Sequence, residues 1–146
     1  MFRLWVLSAS RTQRKQIETL FASVGVPFSW RPQPHSPGQS QTIVNLDTDA
    51  ATAASELAKL ACVFEIETET ERFLFHPGLG LHRQELDEAG EPITRICQLK
   101  HLIAESQGSM SEFERRLRML EGIPWLDILE PYRLGILRAD SLPRAV

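Results

Sequence analysis

Cys62-Val63-Phe64-Glu65-Ile66-Glu67 is the stretch on which the reading of the fold turns. Cys62, Phe64 and Ile66 alternate with Val63, Glu65 and Glu67, the period of two expected of a strand with one dry and one wetter face. What precedes it makes it a fourth strand. Phe2 to Ser8 is dense in large apolar and β-forming residues, and Ser10 with Gln13 forms a capping-box pattern directly after it, so a strand enters a helix. In that helix Ile17, Leu20, Phe21 and Val24 recur on one face, and Gly25 stops it. Phe28 to Arg31 reads as a second strand, ended by Pro32 because proline removes a ladder donor, and Pro32 to Gln39 reads as a loop. Gln41 to Leu46 is a third strand. Asp47 caps a helix from Ala50 to Ala61, with Ala50, Ala54, Leu57, Ala58 and Ala61 facing inward. The order is β-α-β-β-α-β, the split βαβ arrangement of a ferredoxin-like sandwich, with both helices on one face of the sheet.

Downstream, Arg72 to Phe75 and Leu79 to Leu86 flank Pro77-Gly78 and form a hairpin extending the sheet. Glu88 to Pro92 is a turn, and Ile96, Leu99 and Ile103 mark a helix. Ser109 with Glu112 repeats the capping-box pattern before Phe113, Leu117 and Leu120, Gly122 closes that helix, and Pro124 to Leu129 forms a short helical turn carrying Trp125 and Leu129 to the body. The expectation is an α+β chain forming a single domain over 1–146, with a ferredoxin-like half over 1–69 and a β-hairpin and C-terminal helices over 70–146.

The chain has 146 residues, 42% of them hydrophobic, and a formal charge of −3, which sets disorder aside and gives no electrostatic footprint for nucleic acid or anionic membrane. The uncharged N-terminal run is cut off by Arg11, and the longest charge-free stretch, Pro32 to Leu46, is rich in Pro, Gln and Ser, so no signal peptide or membrane span is expected. Cys62 and Cys97 are too far apart for a CxxC motif and read as reduced, buried thiols. A cytoplasmic location follows.

His76-Pro77-Gly78-Leu79-Gly80-Leu81-His82 is the best candidate for a site, because two imidazoles flanking a tight turn could approach one metal, with Glu85 as an oxygen ligand. The plainer reading, which is preferred, is a hairpin with histidines on its strand flanks and no metal. Asp47-Thr48-Asp49 sits where a helix begins, so capping accounts for both carboxylates. Glu65, Glu67 and Glu69 read as a solvated or edge-strand face, paired with Arg3 or Arg31. Trp5 and Trp30 with Arg3 and Arg31 resemble a base-stacking sheet, but the third strand lacks the aromatic and basic residues an RNA-recognition motif places there. Arg115, Arg116 and Arg118 beside Glu112 and Glu114 make a solvated helix face, and Trp125 with Tyr132 a lid over the core. GxSxG, HExxH, Walker and GxGxxG motifs are absent, leaving no catalytic residue and no cofactor to name.

Phe28-Ser29-Trp30-Arg31-Pro32-Gln33-Pro34, Phe64 to Glu69, His76 to Leu81 and Trp125 to Arg133 occur in an order that resembles an uncharacterised actinobacterial family, a domain of unknown function (family 3145). The likeness runs from Trp30 to Arg133. It departs at Leu126, where the family tends to carry an acidic residue, and is loose before Gly25. The resemblance implies an actinobacterial origin and a gene neighbourhood shared with fatty-acid synthesis, and it transfers no catalytic residues.

The expected function is a non-enzymatic protein-interaction or self-association module, binding a protein partner or a second copy of the chain, with Trp30, Arg31, His76, Gly78 and His82 as binding residues. The alternatives are a small-molecule or acyl-ligand module with a cavity near Trp30, His76 and His82, and a metal-assisted hydrolase using His76, His82 and Glu85.

Overall fold

The computed structural model of the protein describes residues 2–23, 30, 32–33, 36–44 and 50–133, with Phe2, Arg133 and the segments 32–33 and 36–44 described by backbone alone. Their elements are β1 (Phe2–Ser8), α1 (Arg11–Ser23), β2 (Pro32–Gln33), β3 (Ser36–Val44), α2 (Ala50–Ala58), β4 (Val63–Glu67), β5 (Glu71–His76), β6 (Gly80–Glu85), α3 (Ile96–Glu105), α4 (Met110–Leu120) and α5 (Ile123–Arg133). The mixture of helix and strand is α+β, as expected. All six strands join one antiparallel sheet in the order β2-β3-β1-β4-β5-β6. The β5–β6 hairpin extends that sheet beyond β4.

The capping box at Ser10 forms in both directions: the Gln13 N–H donates to Ser10 Oγ at 3.2 Å and the Ser10 N–H to Gln13 Oε1 at 2.8 Å. It sets the start of α1, which then buries Ile17 and Phe21. These meet Leu4, Val6, Phe64, Ile66, Phe73 and Phe75 of the sheet, together with Ala53, Ala54 and Leu57 of α2. The Phe64 and Phe75 rings stack with centroids 5.3 Å apart at the centre of this core. Small residues on α2 let it lie close to the strands.

The second face of the sheet is covered as well. Trp125, Leu129 and Tyr132 of α5 pack on Leu7, Val63 and Leu74, with Trp5 partly buried beside them. This changes the expected character of β4. Its residues from Val63 to Ile66 are all buried, and Glu65 is only 8% exposed, because β4 lies between β1 and β5 with helices over both faces. Glu65 is therefore neither at an edge nor on a solvated face, whereas Glu67 is half-buried and Glu69 falls exposed in the turn after the strand. The expected short turn at Pro124 to Leu129 is a helix of 11 residues.

Three other boundaries differ. Pro32 to Gln39 is not one loop: Pro32–Gln33 forms β2 and Ser36 begins β3. Proline is admissible at Pro32 because β2 is the edge of the sheet, and at Pro37 because it lies outside the Ser40–Val44 segment paired with β1, where the β2 register shifts. α2 ends at Ala58, and Ala61 instead takes a φ of +57°. Arg31, Gly25 and Asp47 to Asp49 lie outside the described residues, as does the expected strand at Phe28 to Arg31 apart from Trp30.

A side chain at positive φ crowds its own backbone, at a cost of roughly 1–2 kcal/mol that glycine avoids. Ala61→Gly is therefore expected to raise the unfolding free energy by about 1 kcal/mol, measured by urea titration. The cysteines differ too. Cys62 is buried, its thiol pushed up to about 12 by burial, whereas Cys97 is exposed and not the buried thiol expected. A thiol reagent is expected to modify one sulfur per native chain and two after unfolding.

Candidate functional site

The hairpin histidines lie under α5. Alternate residues of β5 and β6 share a face, so Arg72, Leu74 and His76 stand with His82 and Gln84, on the side where Leu74 meets Trp125. The His82 ring stacks on Trp125 with centroids 4.5 Å apart at 25°. Trp125 Nε1–H donates to the Gly80 carbonyl at 2.9 Å, tying α5 to the start of β6. His76 approaches Tyr132 at the other end of α5, with centroids 6.0 Å apart, and its Nδ1 accepts the Gly78 N–H at 2.9 Å. The two imidazoles are thus spent on seating a helix and shaping a turn.

Between α4 and α5 the chain turns at Gly122 directly over these strands. Gln84 Nε2 donates to the Glu121 carbonyl at 2.7 Å, which leaves Gln84 Oε1 aimed elsewhere. That atom, His82 Nε2 and Arg72 Nε are buried without a hydrogen-bond partner among the described residues. Burial, then the positive charge of Arg72, lowers the His82 pKa, and burial lowers that of His76. Below about pH 6.5 the unfolded chain takes up protons that the folded imidazoles refuse, so stability falls with acid. His82→Gln is expected to shallow that decline in urea midpoints measured across this range.

The structure separates the proposed binding residues. Trp30 packs against the core on the α1 and α2 side, where Nε1–H donates to Glu18 Oε1 at 2.7 Å and Arg14 lies 5.4 Å from its ring centroid. The sheet stands between Trp30 and the histidines. Glu85 is displaced by one residue of strand period from Gln84, so it faces away from His82, and it pairs with Arg95 at 2.7 Å. Among the described residues no group of three or more His, Cys, Asp or Glu is placed to hold a metal. Arg31 lies outside the described residues.

A different feature stands out, which the sequence reading passed over. Neither α3 nor α4 contains a buried residue. Ile96 is 72% exposed, Ile103 60% and Met110 68%. Ile103, Met110 and Phe113 line an apolar cleft of about 290 Å³ with Ser106, Gly108 and Ser109 at the tip of the helical hairpin. The hairpin is nevertheless well built. Ser109 Oγ accepts the Glu112 N–H, and Arg116 bridges the helices by binding Glu105 at 2.5 Å and Glu112 at 2.9 Å. Arg115, then Arg116, holds the Glu112 carboxyl down to about 2. The helical spacing of Ile96, Leu99 and Ile103 was visible in the sequence; that Ile96 and Ile103 stay exposed was not.

Comparison with known proteins adds a family and no chemistry. A family model described as protein of unknown function (DUF3145) matches residues 3–141, well beyond the stretch from Trp30 to Arg133 and including the first helix. No curated protein and no solved structure matches the chain.

Proposed function

The chain belongs to the DUF3145 family, and since that family carries no assigned activity, we propose from the geometry that the protein is a non-enzymatic interaction module whose docking surface is the α3–α4 hairpin. One observation carries this reading: two helices without a single fully buried residue present Ile96, Ile103 and Met110 to solvent. Single exposed apolar side chains are ordinary, but a contiguous group rimmed by charge marks a surface that another molecule covers. The β5–β6 hairpin then has a supporting role, holding α5 and through it the base of α4.

The same reading takes the first half as ferredoxin-like, supported by the β2-β3-β1-β4 order, and both halves as one domain, supported by the shared sheet. Two free thiols support a cytoplasmic setting, and the net charge of −3 supports a protein partner over nucleic acid. Among the described residues no helix is long and apolar enough to cross a membrane.

The test compares tagged wild type with Ile96→Glu and Ile103→Glu as baits in extract of the source organism, quantified against total bait. A stoichiometric partner lost from both variants is the expected result. Identical captured sets from all three baits would sink the reading.

A further inference from the structure

Resting on that docking reading, we propose that the exposed side of the α3–α4 hairpin closes on a second copy of this chain, forming a two-fold dimer. Ile96 and Ile103 are seven residues apart and so stand on one side of α3, and Lys100, four residues after Ile96, shares that side. On α4, Met110 and Glu114 are likewise four apart. Ile103 and Met110 line the same apolar cleft, which joins the two sides into one patch.

Charge identifies the occupant. The other charged side chains of these helices are closed within the chain: His101 on Glu105, Arg115 on Glu112, Arg116 on Glu105 and Glu112, and Arg118 on Asp127. Lys100 and Glu114 are left without an ion pair among the described residues, one of each sign, and each adjoins an exposed apolar residue. A strongly acidic or strongly basic partner would satisfy one and oppose the other. A second copy satisfies both, because a two-fold axis that brings residue i onto j also brings j onto i. Lys100 then meets Glu114 of the partner subunit, and Glu114 meets the partner's Lys100, around a centre of isoleucine and methionine.

Sedimentation velocity on the full chain across the micromolar range tests this. Wild type is expected to dimerise and Ile103→Glu to remain monomeric. Lys100→Glu and Glu114→Lys alone are each expected to raise the dissociation constant at least about tenfold. An equimolar mixture of those two variants is expected to recover the dimer, since in the mixed pair every altered charge meets its opposite. All these positions are exposed, so thermal unfolding of each variant should match wild type and separates lost docking from lost folding. A wild type that stays monomeric, a dimer indifferent to Ile103→Glu, or a mixture that fails to recover would each overturn the proposal. A monomer whose partner capture still depends on Ile103 would reject the second copy and leave the docking reading intact; failure of both experiments rejects both.

Discussion

Gly122→Ala is expected to destabilise the fold by about 3 kcal/mol, combining a positive-φ cost with an overpacking cost. Gly122 has a φ of +76°, and a Cβ there would lie 2.5 Å from Gln84 Nε2 and 2.8 Å from His82 Nε2. Neither neighbour can swing away cheaply. Gln84 is held by its bond to the Glu121 carbonyl, and His82 is stacked on Trp125. Gly108 supplies the control, because its φ of +80° is nearly the same and a Cβ there would meet nothing within 4 Å. Gly108→Ala should therefore cost only the conformational part, about 1 kcal/mol. Urea titrations of both variants measure the difference, and equal losses would show that the approach of the α4–α5 turn to β6 is looser than described.

Trp125→Ala is expected to be worse still, by roughly 3–5 kcal/mol, the usual cost of deleting a buried aromatic side chain. Trp125 is only 5% exposed and sits in the second core with Leu7, Val63, Leu74 and Leu129. Its loss also removes the hydrogen bond to the Gly80 carbonyl and one face of the His82 stack. Trp125→Phe keeps most of the packing and forfeits the hydrogen bond, so it should cost on the order of 1 kcal/mol. If the alanine variant lost no more than the phenylalanine variant by calorimetry, α5 would not be an integral part of the fold.

The two substitutions bear on what could be read from sequence. Local signals with short reach held well: Ser10 and Gln13 cap α1, Phe64 and Ile66 face the first core, and the hairpin around Pro77-Gly78 forms. Each depends on a few neighbouring residues. The errors arise where a distant element decides. Glu65 looked wet because alternation describes one face of a strand at a time, while its actual burial follows from α5, whose residues begin almost sixty positions later. That helix was itself hard to see, since Pro131 lies inside it and proline ordinarily signals an end. The candidate surface escaped for the opposite reason. Ile96, Leu99 and Ile103 have the spacing of a helix that packs on a core, and periodicity records that a side is apolar without recording whether anything lies against it.

The outer margin of β6 has a consequence of its own. The Ile93 N–H occupies the Glu85 carbonyl, which faces away from β5, as the chain folds back at the Leu86–Pro92 bridge. What remains open along that margin, from Leu81 to Gln84, is shorter than the five or six residues of an ordinary strand. A foreign chain finds too little ladder there to zip onto, so the hairpin end of the sheet is guarded against runaway fibre growth by the fold-back that follows β6.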